Sequence, residues 1–223
     1  MKKLSHFLST SQGKFIGLIV LLIVVLFIYY FYAMSNNTNS APVGEPSITE
    51  TDHVRGNLAG TVTLVEFGDF QCPACGAYEP LVRQITKDNG DILKVVFKHF
   101  PLTQLHQNAL IAAKASEAAS IQGKFWEMHD ILYDKQAEWQ GSLNARDMFL
   151  TYAATLGLDA AKFQADINST EVENKVLSEY KEGLSLKVNS TPTFFVNGKK
   201  INNPQSVQEF NGLIRASANG AVQ

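Results

Sequence analysis

Hydrophobic residues fall in three patterns along this chain, and each predicts a different element. From Phe15 to Met34 they are continuous, and FIGLIVLLIVVLFIYYFYAM holds no charged residue. A helix of that length, rising about 1.5 Å per residue, crosses the roughly 30 Å hydrocarbon core of a bilayer. In TVTLVEF (61–67) and ILKVVFKHF (92–100) short β-branched runs predict strands covered on both faces. Elsewhere the apolar positions recur every three or four residues, the spacing of a helix with one buried face. ACGAYEPLVRQITKDNG predicts such a helix, with Tyr78, Leu81, Val82 and Ile85 inward, a kink at Pro80 and an end at Asn89-Gly90. QNALIAAKASEAASIQ, KFWEMHDILYDKQ, ARDMFLTYAATLG and EVENKVLSEYKEGLSL predict four or five helices over about 103–187, interrupted at Gly157 and Gly183. TPTFFVNGKKI predicts a hairpin turning at Asn197-Gly198, and a last helix is expected from about Pro204 to Ala216.

Charge orients the first of these patterns. Lys2, Lys3 and Lys14 precede the apolar run, and no Lys or Arg follows until Arg55. Positive residues stay on the cytoplasmic side, so 1–14 is expected in the cytoplasm, 15–34 as a single membrane anchor, and the rest outside. Tyr29, Tyr30 and Tyr32 stand near the exit, where interfacial aromatics belong. A cleaved signal peptide is the alternative. It would have an apolar region of about 7–15 residues and a small-x-small site, whereas this run is longer and YAMSNN is a poor site. Residues 35–50 are polar, broken by Pro42, Gly44 and Pro46, and expected as a flexible linker. Residues 51–223 suffice for one packed domain. The net charge of −2 gives no basic excess to hold nucleic acid.

The chain has two cysteines, Cys72 and Cys75, in DFQCPACG. They follow the first strand and open the first helix, with Pro73 at a position where a missing N–H costs nothing. With the helical block set aside, the elements run βαβ and then ββα. That is the thioredoxin arrangement, with Cys-x-x-Cys at its first strand-to-helix turn. Cys72, at the helix N-cap, meets unpaired N–H groups and the positive end of the dipole, so its pKa is expected below the free value of about 8.5. It is read as the attacking nucleophile. Cys75, one turn deeper, is read as the thiol that resolves a mixed disulfide on Cys72. A structural disulfide over so short a loop constrains the unfolded chain little. A zinc site would need about four ligands, and the chain has no second cysteine pair. Metal binding, as copper rather than zinc, stays open, though no metal and no cofactor are expected.

Three further positions bear on that chemistry. Glu66 shares a strand face with Val62 and Leu64, six residues before Cys72. Buried there, it would have a raised pKa and could take the proton that Cys75 must lose; at the strand end it could instead be a solvated glutamate. Asp69 is read as a cap of the turn. Thr191-Pro192 opens the late strand opposite the cysteines. A cis bond there would leave the Thr191 backbone free to pair with an extended peptide. His106, Trp126 and His129 are read as core or surface residues.

VTLVEFGDFQCPAC, FKHFPL, QGKFWEMHDILY and STPTFFVNG resemble, in the same order, segments of the DsbA-like thiol–disulfide oxidoreductases, over about 55–218. The resemblance implies an α/β thioredoxin fold with an inserted helical domain. It implies disulfide exchange with extracytoplasmic proteins and a membrane redox partner that recycles the pair. It carries over Cys72 and Cys75 as the redox centre, Glu66 as the buried acid and Pro192 as the cis-proline. Thr191, Pro73 and Ala74 are expected to meet the substrate. Oxidases of the family have histidine where this chain has Ala74, so a weaker oxidant is expected here. The linker leaves no room for the dimerisation domain of related isomerases, and a monomer is expected. A reductase or isomerase of the same fold, and a non-catalytic metal-binding or docking module, are the alternatives.

Overall fold

The structure, a computed structural model, describes residues 11–36 and 44–220, and within 11–36 the side chains of 18–32. The expected cytoplasmic segment up to residue 10, and the linker over 37–43, lie outside the described residues. Two compact units divide at Val43 and Gly44. Among its described residues the first contains one helix, α1 (Ser11–Asn36), of 26 residues. Its side chains from Leu18 to Tyr32 are all exposed. Among the described residues no helix is long and apolar enough to cross a membrane.

In the second unit the two β-branched runs become β2 (Val62–Gly68) and β3 (Leu93–His99), paired in parallel with Leu64 beside Val95 and Glu66 beside Phe97. Between them runs α2 (Pro73–Asp88), which passes through Pro80 to a C-cap at Asn89. A strand absent from the hydrophobic pattern, β1 (His53–Gly56), adds antiparallel to β3 at the sheet edge. The helical block comprises α3 (Ala109–Ser120), α4 (Phe125–Asp134), the four-residue α5 (Gln136–Trp139), α6 (Ala145–Thr155), α7 (Ala160–Asp166) and α8 (Thr170–Ser185). That is more than the four or five expected, because α5 is too short to show a period and α7 starts anew at its own N-cap, Asp159. Gly183 does not interrupt α8. It lies inside the helix, where a Cβ would stand 2.6 Å from the Phe100 ring. β4 (Thr193–Val196) and β5 (Lys199–Lys200) form the hairpin, with φ of 47° at Asn197 and 83° at Gly198, and α9 (Val207–Ala218) closes the chain. The sheet order is β1-β3-β2-β4-β5.

Both sheet faces are covered, as continuous β-branched strands require. Val62, Leu64, Val95, Phe194 and Val196 pack with Val82 and Ile85 of α2 and Phe210 and Ile214 of α9. On the other face Val65, Phe67, Val96, Phe100 and Phe195 pack with Tyr180 of α8 and with Leu186 and Val188. The helical block forms a third core around Trp139, Phe149 and Phe163, and this core reaches Phe70, Cys72 and Cys75. The last part of the expected linker also belongs to this unit, which is a correction: Pro46 is buried, and Ser47 donates from its N–H and hydroxyl to Glu182 Oε1 at 2.6 and 2.7 Å.

Candidate active site

The turn from β2 into α2 carries the two cysteines, and its backbone explains their difference. Cys72 is the N-cap, extended at φ −69° and ψ 122°, so its side chain lies at the open end of the helix. Cys75, within the first turn, points inward. Cys72 is 8% exposed and Cys75 0%, and both are free thiols. Pro73 and Ala74, between them, are exposed.

The electrostatics of the pair are opposite. The Cys72 thiol is lowered from 9.0 to about 5, first by the Cys75 side chain hydrogen-bonding its sulfur. Burial opposes this; the Thr191 hydroxyl and then the N–H groups of Cys75 and Ala74 assist it. The helix N-terminus contributes as the sequence suggests, but the neighbouring thiol contributes more. As a thiol, Cys72 Sγ donates to the Thr191 carbonyl at 3.4 Å. Thr191 Oγ1 is buried with no other partner, which leaves it available to a thiolate. Cys75 is pushed well above its ordinary value, first by burial and then by the Cys72 sulfur and Glu66. A thiolate is thus favoured at position 72 and a thiol at 75.

Glu66 lies in β2 between Phe97 and Phe194 and is 3% exposed, so the solvated reading does not hold. Its carboxyl is raised well above the ordinary value, first by burial, then by Glu79 and the Cys72 thiolate. Thr191 and Pro192 are buried, joined by a cis peptide bond, and bring the Thr191 carbonyl to Cys72.

Sequence reasoning missed the residues that fasten this turn to the helical block. Gln136 of α5 donates through Nε2 to the carbonyls of Phe70 at 2.7 Å and Cys72 at 2.9 Å. Gln71 donates to the Gln140 carbonyl at 2.6 Å and accepts from the Asn108 N–H at 2.6 Å. Gln71 sits in the turn and Gln136 is the last, polar residue of a helical pattern, so no apolar periodicity marks either. Asp69 does cap the turn, accepting from the Gln71 N–H at 2.8 Å, but it is also buried and bonded to His106. His129 is buried against Phe70 and Phe97, and Trp126 stacks on Arg55, so both are packing residues.

His53 and His99 both direct Nε2 at Glu117 Oε1, at 2.8 and 2.9 Å, and Glu79, His129 and Asp130 form a second such grouping. A metal on His99 Nε2 would move the ring proton to Nδ1, which is buried without an acceptor. The first grouping is therefore best satisfied as hydrogen bonds tying β1 and β3 to α3.

The thioredoxin family model matches residues 48–216. The chain is 39% identical over 181 residues to a Na(+)/H(+) antiporter, NhaA 1, of Mycolicibacterium gilvum, covering 78% of this chain and 28% of that protein. It thus spans under a third of the length of the curated relatives it matches. BdbD of Bacillus subtilis superposes with a TM-score of 0.70 at 25% identity, covering 80% of this chain and 98% of that one. The α-DsbA1 of Wolbachia pipientis superposes with a TM-score of 0.68 at 19% identity, covering 78% and 94%. With a paired-cysteine turn on this fold and a family match across most of its length, the chain belongs to the thioredoxin superfamily, in its DsbA-like branch of thiol–disulfide oxidoreductases.

Proposed function

We propose that this protein is a membrane-anchored oxidase that introduces disulfides into exported proteins through Cys72-Pro73-Ala74-Cys75. The observation that carries this reading is the contrast at the pair: a Cys72 thiol lowered to about 5 beside a Cys75 thiol raised by burial. Stabilising the Cys72 thiolate stabilises the dithiol form, so the disulfide form gives its bond away readily. The uncharged run 15–34 and the lysines before it support a single-pass anchor with the domain on the extracytoplasmic side. An exported location is one where disulfides persist.

In the forward reaction a substrate thiolate attacks the Cys72 sulfur of the Cys72–Cys75 disulfide. Cys75 leaves and takes a proton, a transfer we assign to Glu66, whose charge raises the Cys75 thiol. A second substrate thiolate then attacks the substrate sulfur of the mixed disulfide, and Cys72 departs as the favoured thiolate. Substrate disulfide and protein dithiol result. A membrane redox partner then takes the two electrons: Cys72 attacks the partner's disulfide, and Cys75 attacks the resulting mixed disulfide and restores the Cys72–Cys75 bond. Glu66 suits its part for a reason of timing. Its proton is held more tightly when Cys72 is a thiolate and less tightly when Cys72 is bonded to a substrate.

Oxidised full-length protein, added to a reduced and unfolded substrate, should form substrate disulfides while the Cys72→Ala variant does not. If the protein instead only reduces disulfides when supplied with electrons, the oxidase reading fails and the reductase takes its place. Mature protein from membranes should keep its original N-terminus; a start near residues 35–45 would refute the anchor.

A further inference from the structure

Asp69 is bonded to both cysteines through its backbone. Its carbonyl accepts from the Cys72 N–H at 3.0 Å, and its N–H points at Cys75 Sγ at 3.5 Å. Its side chain, wholly buried, is fully engaged on the other side. Oδ1 accepts from the Gln71 N–H at 2.8 Å, and Oδ2 accepts from the Leu102 N–H at 3.0 Å and from His106 Nδ1 at 2.6 Å. The carboxylate only accepts, so His106 carries its proton on Nδ1. The His106 ring is 18% exposed. It is held in turn by its own N–H to the Leu102 carbonyl at 2.9 Å.

A donor aimed at Cys75 Sγ matters only when that sulfur carries charge. In the dithiol form Cys75 is a buried thiol. While a mixed disulfide on Cys72 is being resolved, its sulfur must become a thiolate in a place where burial opposes one. Within hydrogen-bond reach of that sulfur on this turn is the Asp69 N–H. Where that N–H points depends on the Asp69 backbone, and that backbone is fixed by a buried carboxylate with three donors. His106 is the one side chain among the three.

We propose that His106 is a positioning residue for the resolving step: through the Asp69 carboxylate it holds the Asp69 N–H on the Cys75 sulfur as that sulfur ionises. The inference rests on the exchange reading above. It concerns the reoxidation of the pair, at its second step, the attack of Cys75 on the Cys72 mixed disulfide. There the Cys72–Cys75 bond forms as the bond from Cys72 to the partner sulfur breaks. The partner leaves as thiolate, and the Cys75 proton passes to Glu66 and on to solvent.

The two steps separate with an aryl disulfide of the dithiobis-nitrobenzoate type as oxidant, on the reduced full-length chain in detergent. Cys72 attack releases one aryl thiolate at a rate that scales with the reagent. Cys75 attack releases the second at a rate that does not. In Cys75→Ser the first release alone should remain. In His106→Ala the second release should slow on the order of tenfold, the scale of one hydrogen bond to a charged group, while the first stays near its original rate. His106→Asn returns an amide N–H near the place of Nδ1 and should restore the second release. Where the alanine variant does not fold, His106→Gln, which carries its donor one bond further out, gives the same comparison.

An unchanged second release in His106→Ala overturns the proposal. Equal slowing of both releases also overturns it, since that marks a general loss of structure. Failure of His106→Asn to restore the rate overturns the hydrogen bond as the cause. Absence of any second release in the unsubstituted protein is a different result, and it refutes the exchange reading itself.

Discussion

Cys72 and Cys75 stand three positions apart, yet one is lowered to about 5 and the other is raised by burial. Alkylation of the intact dithiol should therefore follow a titration near pH 5, carried by Cys72, and Cys72→Ser should react slowly throughout the neutral range. Removing Cys75 also removes the largest contribution to the Cys72 thiolate, so the Cys75→Ser titration should lie somewhat above that of the intact dithiol. Faster reaction at Cys75 in the neutral range would reverse the two roles. Glu66→Gln keeps the shape and removes the acid, so resolution of a mixed disulfide on Cys72 should slow by about 10²–10⁴-fold if Glu66 is the base. An unchanged rate across pH would leave Glu66 a structural residue. At this scale the cysteine pair, the buried acid and the proline were legible, because a motif, a strand face and a strand start mark them locally. The bond from Asp69 to His106 was not, because its partners lie 37 residues apart with a strand between them. Gln136 was hidden for the same reason: it reaches the Cys72 carbonyl across 64 residues.

Elements built on long hydrophobic periods were readable, and those held by pairing or by one close approach were not. β1 has four residues and no buried one, so only its register with β3 makes it a strand. Gly183 reads as a helix break on propensity alone. In place it is the point where α8 meets the rings of Phe100 and Phe67, with a would-be Cβ 2.6 Å from one and 3.1 Å from the other. Gly183→Ala should thus destabilise the domain by about 1–3 kcal/mol through overpacking. Gly212, in α9, is exposed, with nothing within 4 Å of its Cβ direction. Gly212→Ala should stabilise by roughly 0.5–1 kcal/mol, the ordinary gain of alanine over glycine in a helix. Denaturant unfolding of both variants reads the two signs side by side. A neutral Gly183→Ala would mean that α8 can shift away from the sheet at little cost.

For the whole molecule the redox state and folding stability are linked through one ionisation. Cys72 has a folded value of about 5 against an ordinary 9.0, so its ionisation favours the folded dithiol form. A lowered value contributes nothing below pH 5, grows as pH rises to 9, and stays constant above that. Near pH 7 the contribution is roughly 2–3 kcal/mol at most. Glu66 works against it, because the Cys72 charge raises the Glu66 carboxyl further in the same state. Cys75 is raised, and adds nothing in this window. In the disulfide form neither thiol titrates. The stability of the reduced protein minus that of the oxidised protein should therefore increase from about pH 5 to pH 9, whatever constant offset the short disulfide loop adds. Chemical denaturation of both forms at about pH 5, 7 and 8.5 measures that difference. In Cys72→Ala, which cannot form the disulfide, the reduced protein should lose the same pH-dependent increment. A difference that stays flat across the window would show that the Cys72 thiolate is not what stabilises the reduced state, and the oxidising direction would lose its physical basis.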